Sequence, residues 1–174
     1  MKERRKNTIW LISFLFLVGC GAVQFSSQLP DSFVLKPGQT IEFVPIENVT
    51  GKTLEPPADQ IFNEYMVELL KERKLLNVFP HPAAFVLKTK LIEYEAGSAF
   101  GRWILPGLGT TVCTVDAELL DKKTGSLIGR MRSRQTVSAG GFYSIGADNY
   151  ICKRAADDLI GEVDKKLNQP EQSG

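Results

Sequence analysis

The sequence predicts an α+β domain of order β–α–β–β–β–β–α, with two helices packed on one face of a mostly antiparallel sheet. Three observations carry this expectation. Apolar residues recur at helical spacing in two segments, one central and one C-terminal. Between them, three segments alternate apolar and polar residues with the period of a strand. Two of these are separated by a short turn ending in glycine, Asp121 to Gly125.

The first strand is read in "TIEFVPI", where Ile41 and Phe43 alternate with Glu42 and Val44. Pro45 cannot donate to a ladder, so the strand should end near it or lie at a sheet edge. "ENVTGKTLEPP" is a loop whose closing prolines suit the first turn of a helix. It contains an Asn-x-Thr sequon at Asn48.

From Ala58 to about Lys74, Ile61, Phe62, Tyr65, Met66, Leu69 and Leu70 form one stripe. Asp59, Asn63, Glu64, Glu68, Lys71 and Glu72 form the other. That is an amphipathic helix packing on a sheet. Its polar side is acidic, unlike that of a helix lying on a membrane. "LLNVFP" reads as a short second strand, "HPAA" as a turn and "FVLKTKLIEYE", Phe85 to Glu95, as a third strand.

Next comes "EAGSAFGRWILPGLGTT", Glu95 to Thr111, the most distinctive stretch of the chain. Glycine-rich loops can cradle phosphates, but a P-loop needs a lysine and a following helix. Here "GLGTTV" has no lysine and leads into a strand, and Gly-x-Gly-x-x-Gly is absent, so no nucleotide is expected. What remains is a long strand-to-strand crossing with Phe100, Trp103, Ile104, Leu105 and Leu108 to place. We expect it to fold back over the open sheet face. The other placement exposes Arg102, Trp103, Ile104, Leu105 and Leu108 to a partner or membrane.

"TVCTVDAELLDKKTGSLIGRMRSRQTVSA" reads as a long hairpin. "GGFYSIGADN" is a second glycine-containing loop, and the last helix runs from about Asn149 to Leu167. Cys113 falls on the apolar face of the hairpin's first strand. Cys152 falls on the apolar stripe of the last helix with Ala155, Ala156, Leu159, Ile160, Val163 and Leu167. If helix and strand meet, Cys113 and Cys152 form either a disulfide or two buried free thiols.

Chemistry-bearing residues are sparse. Asp116 and Glu118 share a strand face, and Arg130, Arg132 and Arg134 occupy the next strand. Facing arginines keep carboxylates ionised, whereas acid–base catalysis needs their pKa values split. A cross-strand charge ladder is the expected reading. His81, the one histidine, sits between prolines, and there is no Gly-x-Ser-x-Gly elbow. Two inward cysteines and one distant histidine make a poor metal site. No cofactor, no metal and no catalytic residue is expected.

The N-terminus decides the compartment. Lys2, Arg4, Arg5 and Lys6 precede an apolar run from Ile9 to Val18. The run is too short to span a bilayer and reads as a secretory signal. It ends in "LVGC", Leu17 to Cys20, which resembles the lipobox of bacterial lipoproteins, whose cysteine is acylated after cleavage. This implies lipidation at Cys20, and Gly21 in place of Asp after it implies the outer membrane. The expected division is a signal peptide over 1–19 and a lipidated tether over 20–38, with a short strand at Phe33 to Leu35. The α+β domain occupies 39–168 and a tail 169–174. The chain carries +1 and the leader +3, from Lys2, Arg4, Arg5 and Lys6 against Glu3, which leaves −2 after cleavage. Nothing in that balance suggests nucleic acid.

Taken together, the lipobox, "EAGSAFGRWILPGLG", "ELLDKKTGSLI" and "SAGGF" resemble an uncharacterised bacterial family. It is a domain of unknown function found in small envelope lipoproteins. The residues carrying the resemblance are Gly97, Ser98, Arg102, Gly107, Gly109, Val115, Leu119, Asp121, Thr124 and Gly125. More loosely, the fold is similar to periplasmic domains of the Tol-Pal propeller's N-terminal kind and of the curli-secretion lipoprotein. The resemblance implies a non-catalytic module, anchored in the membrane through N-terminal acyl chains, that binds envelope proteins or itself. A lipid- or peptidoglycan-binding module is the alternative, and an unrecognised hydrolase the remote one.

Overall fold

The structure is a computed structural model, and it describes residues 23–55, 57–78, 82–104, 108–138 and 146–167. The elements run β1 (Val23–Ser27), β2 (Ile41–Asn48), α1 (Ala58–Glu72), β3 (Phe85–Glu95), α2 (Ala99–Ile104), β4 (Thr111–Asp121), β5 (Leu127–Val137) and α3 (Ala147–Leu167). The five strands form one sheet in the order β1-β5-β4-β3-β2. Only β2 and β3 are parallel, because α1 carries the chain back between them. The expected α+β class, with helices on one face of a mostly antiparallel sheet, is the observed one.

Alternation sorts the strands' side chains between two faces. Leu87 and Leu91 on β3, Cys113, Val115, Ala117 and Leu119 on β4, and Met131 on β5 are buried. They meet Phe62, Met66 and Leu70 of α1 and Ile151, Ala155, Ala156, Leu159 and Val163 of α3 in one core. Alanines at 155 and 156 let α3 approach the sheet closely. The two helices are also joined at the surface. Tyr65 donates to Asp157 at 3.1 Å, and Arg73 pairs with Asp164 at 2.9 Å.

Two strand assignments are corrected. Of "LLNVFP", the described residues Leu75 to Val78 form no strand. Leu76 makes one parallel bridge to Ile41, after Lys74 turns the chain through a left-handed conformation at φ 58°. The fifth strand is instead Val23–Ser27, inside the segment read as a tether, and Phe33 to Leu35 carry no strand. With only five residues and two polar serines, β1 has little apolar alternation. It is specified by pairing with β5, from Val23 opposite Gln135 to Ser27 opposite Met131. Pro45 does lie on an edge strand. The register of β2 shifts there, and the Ile46 N–H leaves the ladder to donate to Asn63 of α1 at 2.8 Å.

The hairpin turn falls where expected. Asp121 accepts from the Thr124 N–H at 2.7 Å and its hydroxyl at 2.8 Å, while Gly125 takes φ +72°. Cys20, His81, Leu105 and the 169–174 tail lie outside the described residues. Among the described residues no helix is long and apolar enough to cross a membrane.

Candidate functional site

The glycine-rich stretch is an internally fastened loop. Ser98 starts the short helix α2. Its hydroxyl accepts from the Gly101 N–H at 3.1 Å, and its carbonyl accepts from the Arg102 N–H at 3.0 Å. One turn on, the Arg102 side chain points back into the protein, 2 % exposed. It donates to the Gly109 carbonyl at 2.7 Å and to the Thr111 hydroxyl at 2.6 Å. Thr111 in turn donates to the Ala96 carbonyl at 2.8 Å, and the Ser98 N–H to Gly109 at 2.9 Å. These bonds tie both ends of the loop to each other.

The glycines make that closure sterically feasible. A Cβ on Gly97, at φ +66°, would stand 2.5 Å from the Gly109 carbonyl oxygen. One on Gly109, at φ +73°, would stand 2.6 Å from the Ser98 carbonyl oxygen. The N–H groups of Ser98, Gly101 and Arg102 are therefore engaged by acceptors of the loop itself.

This geometry changes two expectations. The loop does not lie back over the sheet: Phe100 is 73 % exposed, Trp103 76 %, Ile104 58 % and Leu108 54 %. Arg102, grouped with them as a contact residue, is instead buried as the fastener. Its guanidinium reaches acceptors that only the folded loop brings together, which spacing along the chain does not reveal.

The sheet face that the described helices leave uncovered is polar. The register places Asp116 opposite Arg132 and Glu118 opposite Arg130. Arg132 grips Asp116 through two bonds of 2.5 and 2.6 Å, and that hydrogen bonding raises the guanidinium further above its already high pKa. Arg130 meets Glu118 at 2.9 Å, and Lys90 meets Glu47 at 3.4 Å. Arg134 lies opposite Thr114 and reaches across to Glu93 at 3.3 Å. The ladder expected from the sequence is thus present. It borders a shallow concavity of about 640 Å³ lined by residues that include Val44, Lys88, Glu118 and Arg130.

Under the helices, the Cys113 and Cys152 sulfurs lie 3.0 Å apart, both buried and both free. The hydrogen bond to Cys152, then burial, pushes the Cys113 thiol well above its ordinary pKa. Next to them, burial raises the phenol of Tyr94, which donates to the Asp148 carbonyl at 3.3 Å. A further polar group went unread in the sequence. Asp158 of α3 accepts from Ser133 at 2.6 Å and Gln135 at 2.5 Å. The signal was available: Ser133 and Gln135 occupy inward positions of β5, where polar side chains need a partner. Among the described residues no three His, Cys, Asp or Glu side chains are grouped to hold a metal ion.

A family model described as "Domain of unknown function (DUF4410)" matches residues 53–141, a span that includes both the fastened loop and the β4–β5 hairpin. No curated protein matches the chain significantly. Solved structures share its fold. PelC from Paraburkholderia phytofirmans, solved as a dodecamer, is 18% identical with a TM-score of 0.57, over 86% of this chain and 100% of that one. A hypothetical protein from Chlamydia trachomatis is 12% identical with a TM-score of 0.53, over 74% of this chain and 97% of that one. A DUF4136 family protein from Bacteroides thetaiotaomicron is 11% identical with a TM-score of 0.51, over 86% and 98%.

Proposed function

The chain belongs to the DUF4410 family, and we propose that it is a non-catalytic lipoprotein of the bacterial outer membrane, acylated at Cys20, whose α+β domain is an assembly module in the periplasm. The anchor is supported by the sequence: a basic segment, a short apolar run and "LVGC" in that order. The observation that carries the assembly role is the uncovered sheet face. It is a broad concave surface whose carboxylates Asp116, Glu118, Glu93 and Glu47 each bond a basic side chain. A face on which each of these carboxylates already holds a cationic partner suits recognition of a polar protein surface better than proton transfer. That a protein of the same fold, PelC, was solved as a dodecamer gives this reading a precedent in which the partner is another copy.

Photo-cross-linking residues placed at Lys88, Glu118 and Arg130 in the full-length protein, in cells, test the role. Discrete protein adducts are expected at two or more of these sites. No adduct at any of them, with normal acylation, would overturn the assembly reading. Labelled palmitate should enter the wild-type protein and not Cys20→Ala.

A further inference from the structure

The anchor and the exposed loop leave the domain at the same end. Val23, the first residue of β1, pairs with Gln135. Gln135 pairs with Cys113, and Cys113 with Tyr94. That row lies one residue from Glu95 and two from Thr111, the strand ends between which the loop projects. Cys20 stands three residues before Val23. Three extended residues reach about 10 Å, so acyl chains on Cys20 hold this end of the sheet close to the bilayer surface.

The surface held there is the apolar one. Phe100, Trp103, Ile104 and Leu108 are more than half exposed, and so is Val23 at the same end of the sheet. The sole charged residue between 96 and 110 is Arg102, and it is turned into the protein. The loop therefore presents apolar groups with no charge to desolvate. Its closure by Arg102, Gly97 and Gly109 fixes their direction before any contact is made.

We propose that the loop is a second membrane contact. Trp103 and its apolar neighbours enter the headgroup region of the leaflet that holds the Cys20 acyl chains, and so set the orientation of the domain. Tryptophan favours that layer, where its ring is apolar and its N–H stays wet. The short leash selects lipid over protein as the occupant, because the bilayer is the surface that Cys20 brings against this end. The uncovered sheet face is left free for the assembly proposed above. This inference rests on acylation of Cys20.

Trp10 lies in the leader, so Trp103 is the only tryptophan after Cys20 and its fluorescence reports the loop alone. The acylated protein is reconstituted into vesicles of phosphatidylethanolamine and phosphatidylglycerol, with and without lipids brominated near the headgroup end of their chains. Expected are a blue shift of the emission, quenching by the brominated lipids and loss of quenching by aqueous acrylamide. Emission indifferent to brominated lipid overturns the proposal. If it stays open to acrylamide the loop faces water, and if shielded the loop meets protein. Lack of palmitate at Cys20 would overturn the anchor and this contact together. Palmitate present with Trp103 unquenched would overturn this contact alone.

Discussion

The sulfur of Cys113 on β4 lies 3.0 Å from that of Cys152 on α3, in the buried layer between sheet and helix. A covalent bond needs about 2.05 Å, so a shift of about 1 Å closes it. In an oxidising envelope we expect a disulfide. It would close a loop spanning a separation of 39 residues, worth about 4 kcal/mol by chain entropy. Mass spectrometry should find the oxidised protein lighter by two hydrogens. Its thermal midpoint should exceed that of the reduced protein by on the order of 10 °C. The reduced thiols are fully buried, and the Cys113 thiol is pushed up by the bond to Cys152 and by burial, so both should resist alkylation until the protein unfolds. Rapid alkylation of the folded protein would contradict the packing.

Arg102→Ala removes the donor that joins Gly109 to Thr111 and leaves their acceptors under a buried gap. We expect a loss of about 2–3 kcal/mol in urea unfolding, with new proteolytic cleavage between residues 97 and 109. Arg102→Lys should not restore the wild type, because an ammonium lacks the planar fork. Wild-type resistance to proteolysis in the alanine variant would show that the loop does not depend on this fastener.

Gly97→Ala and Gly109→Ala combine a left-handed backbone with a Cβ 2.5–2.6 Å from a carbonyl oxygen. Gly125→Ala shares the conformation, at φ +72°, but its Cβ would meet open space. The conformational cost alone is about 1–2 kcal/mol. The loop variants should therefore lose clearly more stability than Gly125→Ala. Equal losses would mean that the loop relaxes around the added methyl.

Asp121 is partly exposed, and bonds from the Thr124 N–H and hydroxyl hold its carboxyl below the usual aspartate value. A lowered folded-state pKa means that the turn's contribution to stability is full above the unfolded value of about 3.9. It is lost as the pH falls through the folded value. An NMR titration should place Asp121 below a typical aspartate, and Thr124→Ala should move it back up. An unmoved Asp121 would refute the cause.

The Asp116–Arg132 pair is bidentate, but its side chains are 31 % and 56 % exposed. A double-mutant cycle with Asp116→Asn and Arg132→Gln should give a coupling of about 0.2–1 kcal/mol that weakens with salt. A coupling several times larger would mean that the ladder is dry, for instance through contact with a partner.

The helices and the β4–β5 hairpin were legible in the sequence because their patterns are long. α1 and α3 repeat an apolar stripe over several turns, and the hairpin carries its own turn chemistry at Asp121, Thr124 and Gly125. β1 was not legible, since "VQFSS" alternates over too few residues to stand out and is specified by the edge of β5. "LLN" has the composition of a strand, but it pairs with β2 in a single bridge, Leu76 opposite Ile41. In the glycine-rich stretch, residue types indicated a structured crossing and left open which way it faced.

By itself, then, the sequence determined the periodic elements, the α+β class, the facing of Cys113 toward Cys152 and the candidate anchor at Cys20. Each follows from local chemistry or from a period that one segment carries alone. Tertiary structure decided the rest: the fifth strand, the pairing of Asp116 with Arg132, the inward turn of Arg102 and the outward turn of Trp103. The physical reason is that each of these depends on acceptors, partners or space supplied by residues distant in the chain or by the closed shape of a loop. A linear pattern specifies neither.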